Sequence, residues 1–271
     1  MKVIKNVLRI LLVGLKGGGK IFCLLLMLFS CNDKIDNSKQ SRLKFVFEHH
    51  VDNSPIILNT QRYINAAGNS YILQEIKYFI SSICLYRNDG AKTIITQNDG
   101  IHYVDVSLDN TLIYDIFQNI TEGVYDSISF IFGLDEMNNQ SYRFRNPPES
   151  NMAWSQVLGG GYHYLMLNGW FYRGDTTAIP LNIHLGRGQI YQGATMDTDS
   201  IIGFVDNYFH VNLPKTFLIR DNETTTINIV MDINKWFDEP FIYDFNTYGS
   251  HIMQNQTAMQ AIKSNGYNVF F

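Results

Sequence analysis

The chain has 271 residues, 45% of them hydrophobic and 14% aromatic, with 21 Lys+Arg against 25 Asp+Glu and a formal charge of −4. Residues 1–30 hold five of the basic residues and none of the acidic ones, so the remainder carries 16 against 25, a formal −9. That balance excludes nucleic-acid binding and electrostatic adhesion to an anionic membrane, both of which need a basic surface.

Four lysines (Lys2, Lys5, Lys16, Lys20) precede an uncharged apolar run from Ile21 that closes on Leu28-Phe29-Ser30-Cys31. A basic start, a short apolar stretch and a small residue before cysteine are the layout of a bacterial lipoprotein signal peptide. The run is about half the ~20 residues that span a bilayer, so it is not read as a transmembrane helix. Residues 1–30 are therefore expected to be removed and Cys31 lipidated. Residues 31–42 would be a polar tether and 43–271 a single domain in the cell envelope, held at the outer membrane through acyl chains. With Cys23 gone and Cys31 acylated, only Cys84 remains. No internal disulfide is expected, and Cys84, inside the apolar stretch 80–86, reads as a small buried hydrophobe.

In the domain, Phe45, Phe47, His49 and Val51 alternate with Lys44, Glu48 and His50, which predicts a strand over 43–51 with the aromatics and His49 on one face. After turns at 52–55 and 65–69, the long apolar run Tyr71–Tyr86 is read as a short helical piece near 73–78 followed by a strand over 79–86. Asn88-Asp89-Gly90 and Asn98-Asp99-Gly100 are hairpin signals on either side of a strand over 92–96. Further strands are expected at 102–106, 111–118 and 122–132. The stretch 133–161, with Pro147-Pro148 and Gly159-Gly160-Gly161, reads as a long loop. Strands then recur at 162–171, 176–185, 204–213 and 224–231. Short helical pieces are predicted at 233–237 and within 247–263. The fold class is all-β: an immunoglobulin-like, Greek-key β-sandwich with a long inserted loop and one or two short helices.

Motifs for a nucleophile elbow, a phosphate loop, a dinucleotide site or a helical zinc protease are absent from the sequence, and no enzymatic activity is expected. The histidines carry the chemistry instead, since neutral imidazole suits copper and zinc. His163 follows the Gly-rich run and His184 stands at a strand end; His49 and His251 complete the candidate set. His50 and His102 read as surface positions. Asp135, Asp206 and Asp232 are candidates to orient the ligands. An alternative reading makes Tyr162, Tyr164, Trp170, Phe171 and Tyr172 an aromatic surface that grips a glycan or a protein.

Several segments, in order along the chain, resemble the MbnP-like copper-binding domain of bacterial envelope proteins. They are Phe45-x-Phe-x-His49, Tyr63-x-Asn-Ala-Ala-Gly68, the Tyr-x-Ile-Ser-x-Ile-x-Leu pattern of Tyr78–Leu85, Met152–Gly169, and Ile183-His184-Leu-Gly186. The resemblance implies a β-sandwich holding a copper ion through histidines, here His163 and His184 with His49 and His251 as further candidates. It also implies a tryptophan, matched by Trp154, that a partner di-haem enzyme of the MauG type oxidises to kynurenine. Many relatives carry Trp-x-Trp at that point, where this chain has Gln156 in the second position.

Overall fold

The structure is a computed structural model that describes residues 41–174 and 176–271. The expected signal segment, the expected lipidation site Cys31 and the expected tether up to residue 40 lie outside the described residues. Fourteen strands are described, with the four earliest at β1 (Arg42–Val51), β2 (Ser54–Pro55), β3 (Arg62–Ile64) and β4 (Ser70–Arg87). They continue as β5 (Lys92–Ile94), β6 (Ile101–Asp105), β7 (Ile113–Ile116), β8 (Gly123–Phe132), β9 (Leu165–Arg173) and β10 (Thr177–Leu185). The last four are β11 (Gly188–Tyr191), β12 (Ile201–Val205), β13 (Phe209–Ile219) and β14 (Thr224–Asp232), followed by one α-helix, α1 (Gln256–Asn265). The fold is an all-β sandwich, as the alternation and turn residues predict.

The smaller sheet runs β14-β1-β2, with β7 also on β1, and its β1–β14 pair is parallel. The larger sheet runs β10-β9-β4-β8-β13, with β3, β5 and β6 also on β4. β11 and β12 form a separate antiparallel pair. Leu43, Phe45, Phe47, His49 and Val51 are all buried and their alternates are not, so β1 turns one face into the sandwich as its sequence predicts. Phe132 shows how dense that core is: its ring meets those of Tyr78, Phe209, Trp236 and Phe270 at centroid distances of 5.1–5.6 Å.

Three sequence expectations are corrected by the structure. No helical piece interrupts Tyr71–Tyr86: the segment is one strand of 18 residues, β4. It pairs with strands on both sides, slips register near Leu73–Glu75 and Ser81–Cys84, and is buried on both faces beyond Tyr78. The helical reading of 73–78 arises at the first slip: Gln74 and Glu75 both stand between the buried Leu73 and Ile76, a spacing of three that imitates a helix, whereas the doubly buried stretch beyond Tyr78 reads as a strand. The Asn98-Asp99-Gly100 signal also does not join two paired strands. Asn98 and Asp99 do take left-handed φ values of 52° and 57°, but β5 and β6 pair with β4 and not with each other. The predicted strand over 204–213 is split into β12 and β13 by Asp206–Tyr208, where Asn207 is fully buried and its Nδ2 donates to Gly186 O at 2.9 Å.

The 133–161 segment is a loop without strands, with 3-10 turns at Glu149–Met152 and Gln156–Leu158. It packs over a second apolar cluster of Phe79, Ile101, Tyr103, Leu134, Met152, Tyr162 and Tyr164. Burial of so many large side chains holds the loop against the sheet, each worth about 1.5–3 kcal/mol. Cys84 is a buried free thiol.

Candidate metal centre

The loop returns to the sheet through a short bridge between Ala153 and Tyr162. Trp154 N–H donates to Gly161 O at 2.8 Å, and Gly161 N–H donates to Ser141 Oγ at 2.8 Å. Gly161 has φ +83°, the left-handed conformation that lets this turn close. The same ladder puts His163 against Met152, whose carbonyl accepts from His163 N–H at 2.7 Å and from its ring Nδ1 at 2.9 Å. A carbonyl only accepts, so Nδ1 carries the ring proton and Nε2 keeps a free lone pair.

His184 reaches the site from β10, whose antiparallel register sets it opposite Met166 on β9. Its Nε2 lies 2.7 Å from Asn168 Oδ1, and Asn168 Nδ2 donates to Glu75 Oε2 at 2.6 Å. The Glu75 carboxylate fixes which end of the Asn168 amide is which. It therefore fixes His184 as the Nε2–H tautomer, with the lone pair on Nδ1. Burial alone would raise the Glu75 pKa, but contacts from Lys77 and Asn168 outweigh it and hold the carboxyl below its ordinary value.

The two rings stand edge to face, with centroids 5.0 Å apart and planes at 83°. The two lone-pair atoms, His163 Nε2 and His184 Nδ1, are both buried and neither has a hydrogen-bond partner. Buried polar atoms are paired in the great majority of cases, so two unpartnered acceptor nitrogens on neighbouring rings single this pair out as candidate ligands. Burial lowers the pKa of His163 to about 4; burial and then the charge of His163 lower that of His184 to about 3. Both rings are thus neutral at physiological pH, the protonation state that ligates metal. Their lone pairs fit a soft or borderline cation such as Cu(I), Cu(II) or Zn(II). Among the described residues, no group of three or more His, Cys, Asp or Glu side chains is assembled as a cage.

Trp154 is fully buried beside this pair, edge-on to His163 with centroids 4.7 Å apart, and its Nε1–H donates to Leu158 O at 3.0 Å. Gly186, just after β10, leaves room for it: a Cβ there would lie 2.7 Å from Trp154 Cε3.

The other sequence candidates fall in different places. His251 bonds through Nδ1 to the Asn182 amide at 2.8 Å and shares a surface cleft with His184. His49 is buried in β1, its Nε2 3.1 Å from Tyr78 OH, and no ring contact or hydrogen bond among the described residues joins it to the pair. His102 is not a surface residue. Its ring is stacked between Phe47 and Tyr114 and its Nε2 lies 2.8 Å from Thr111 O, because β6 folds against β4 beneath β7. Asp135, Asp206 and Asp232 do not orient the pair: Asp206 pairs with Arg187, while Asp135 and Asp232 accept from nearby backbone N–H groups. That task falls to Met152 O and Asn168, which sequence reading missed because a backbone carbonyl leaves no trace in sequence and Asn168 matters only through the β9–β10 register. The proposed aromatic surface is also overturned. Tyr162, Tyr164 and Phe171 are core residues at 0–1% exposure, Tyr172 is partly buried with the Arg62 guanidinium over its ring, and Trp170 is exposed, so no continuous aromatic surface forms.

A sequence model of the MbnP family matches residues 40–259. Among solved structures, the chain is similar to "MbnP from Methylosinus trichosporium", with a TM-score of 0.52 and 14% identity over 86% of this chain and 98% of that one. At that identity the likeness speaks for the fold. No curated protein sequence matches.

Proposed function

The chain belongs to the MbnP family, and from that premise we propose that it is a copper-binding protein of the bacterial envelope whose metal sits between His163 and His184. The observation that carries this reading is the pair of orphaned lone-pair nitrogens, His163 Nε2 and His184 Nδ1, each with its opposite ring nitrogen held as a donor. Bound copper would supply the positive centre that these two lone pairs can ligate. The protein's part is to keep the rings neutral by burial, to lock the tautomers through Met152 O and Asn168, and to shield the site with Trp154 and the 133–161 loop. The role we assign to the site is to take up, hold or pass on the metal. Lipidation at Cys31 would tether the domain to the membrane.

Trp154 stands where the resemblance places the tryptophan that becomes kynurenine. Its contact with His163 means that ring opening would put a new carbonyl and an aromatic amine next to the pair. At 1% exposure, Trp154 itself is out of reach of an enzyme's active site, so its oxidation would depend on electron withdrawal over a distance by a bound di-haem partner of the MauG type.

Elemental analysis of the purified protein should find copper, and a His163→Ala, His184→Ala double variant should lose it while keeping the circular dichroism spectrum of the parent. Undiminished copper in that variant would refute the assignment. The intact mass of protein isolated from its native host should report kynurenine in place of tryptophan if Trp154 is processed.

A further inference from the structure

His184 belongs to two environments at once. One is the buried pair; the other is a cleft of about 350 Å³ that it lines together with Met196, His251 and Met253. The cleft is built on the edge of the larger sheet. Asn182 N–H donates to Ser250 O at 2.6 Å, and Asn182 and His251 form a single parallel bridge, so the segment after Tyr248 is laid along β10. Its far end is pinned by Asn255, whose side-chain oxygen accepts from Ala258 N–H at 3.0 Å to cap α1 and whose Nδ2 donates to Tyr248 O at 3.2 Å. The loop that presents His251 and Met253 is therefore closed on itself.

The side chains of this cleft are graded from solvent to site. Met196 is 58% exposed, Met253 is partly buried against the core, His184 is half-buried, and His163 behind it is buried. Thioether sulfur is soft, uncharged and carries no proton to displace, so it prefers Cu(I) to zinc, magnesium or calcium. Among the described residues no carboxylate lines the cleft, so it lacks the anionic oxygens that favour a hard divalent cation. His251 can join the thioethers. The Asn182 Oδ1 makes no hydrogen bond among the described residues, so a half-turn of that amide lets Oδ1 accept from Nδ1–H and leaves His251 Nε2 with a lone pair.

We propose that this cleft is an entry site for monovalent copper, in which Met196, Met253 and His251 capture Cu(I) and pass it by ligand exchange to His184 and His163. The exchange forms and breaks only metal–ligand bonds; no electron or proton is transferred. The proposal rests on copper binding at the histidine pair.

The test uses the full chain labelled with ¹³C at the methionine methyls and Ag(I) as a redox-inert stand-in for Cu(I). The Met196 and Met253 methyl resonances should shift with Ag(I), and should do so also in the His163→Ala, His184→Ala variant. A Met196→Leu, Met253→Leu variant should take Cu(I) from a bicinchoninate complex about ten-fold more slowly, with the final affinity unchanged. Leucine conserves volume, and exposed Met196→Leu alone serves should the double variant fold poorly. Methyls that ignore Ag(I), or loading as fast as in the parent, would overturn the entry site. If the double histidine variant still held copper as tightly as the parent, the histidine-pair reading would fall instead, and the methyl response would still decide whether the cleft binds.

Discussion

Replacing Asn168 with alanine isolates the contribution of tautomer control to metal binding. The change removes two hydrogen bonds, from His184 Nε2–H to Oδ1 at 2.7 Å and from Nδ2–H to Glu75 Oε2 at 2.6 Å. The released imidazole can then carry its proton on Nδ1, the atom that otherwise offers a lone pair, so metal must compete with the wrong tautomer. Leaving a buried donor without its acceptor costs about 1–3 kcal/mol. At about 1.4 kcal/mol per decade this is a ~10–100-fold loss of affinity, the range usual for the partner of a ligating histidine. A competition titration against a chromophoric Cu(I) chelator reads the change, with circular dichroism as a control for folding. Asn168 is half-buried and outside the hydrophobic core, so the fold should persist. An Asn168→Ala protein that binds copper as tightly as the parent would refute the reasoning.

Copper should be retained well below pH 6.5, the unperturbed histidine value from which a loss near that pH would be expected, because burial lowers the pKa of His163 to about 4 and of His184 to about 3. Equilibrium dialysis from pH 7 to 3 checks this, and a release midpoint near 6.5 would mean the rings are solvated. In the same window the metal-free protein should lose stability as pH falls, because the unfolded chain binds protons from about pH 6.5 downward that these rings refuse until their lower folded values. His49 and His102, each lowered to about 4 chiefly by burial, act in the same direction, and melting curves against pH will show it. Gly186→Ala drives a Cβ to 2.7 Å from the buried Trp154 ring and should cost about 1–3 kcal/mol by overpacking, seen as a lower melting temperature and altered tryptophan fluorescence. Phe132→Ala empties the centre of the aromatic cluster and should cost about 3–5 kcal/mol in denaturant unfolding. Mass spectrometry of the native protein should find an acylated Cys31 at the mature N-terminus, and Cys31→Ser should give a soluble or uncleaved form.

Sequence by itself determined the elements whose pattern is local. The alternation of Phe45, Phe47 and His49 marks β1, the Asn88-Asp89-Gly90 turn marks the β4–β5 hairpin, and the helix-like spacing of Ala258, Ala261 and Ile262 marks α1, because an element with one wet face writes its period into the residues. The first part of β4 escaped because the register slip at Leu73–Glu75 spaces the buried Leu73 and Ile76 three residues apart, as on a helix. The proximity of His163 and His184 could be anticipated from their motifs, whereas spacing along the chain does not reveal it. Twenty-one residues separate them, and they meet only because β9 and β10 pair in one register while the 133–161 loop folds back over the sheet. Met152 O, Asn168 and the Met196–Met253 cleft were decided wholly by tertiary structure. A ligand pair needs lone pairs aimed and protons held elsewhere, and those conditions are set by which residues stand across a strand or under a loop, distances that chain order does not encode.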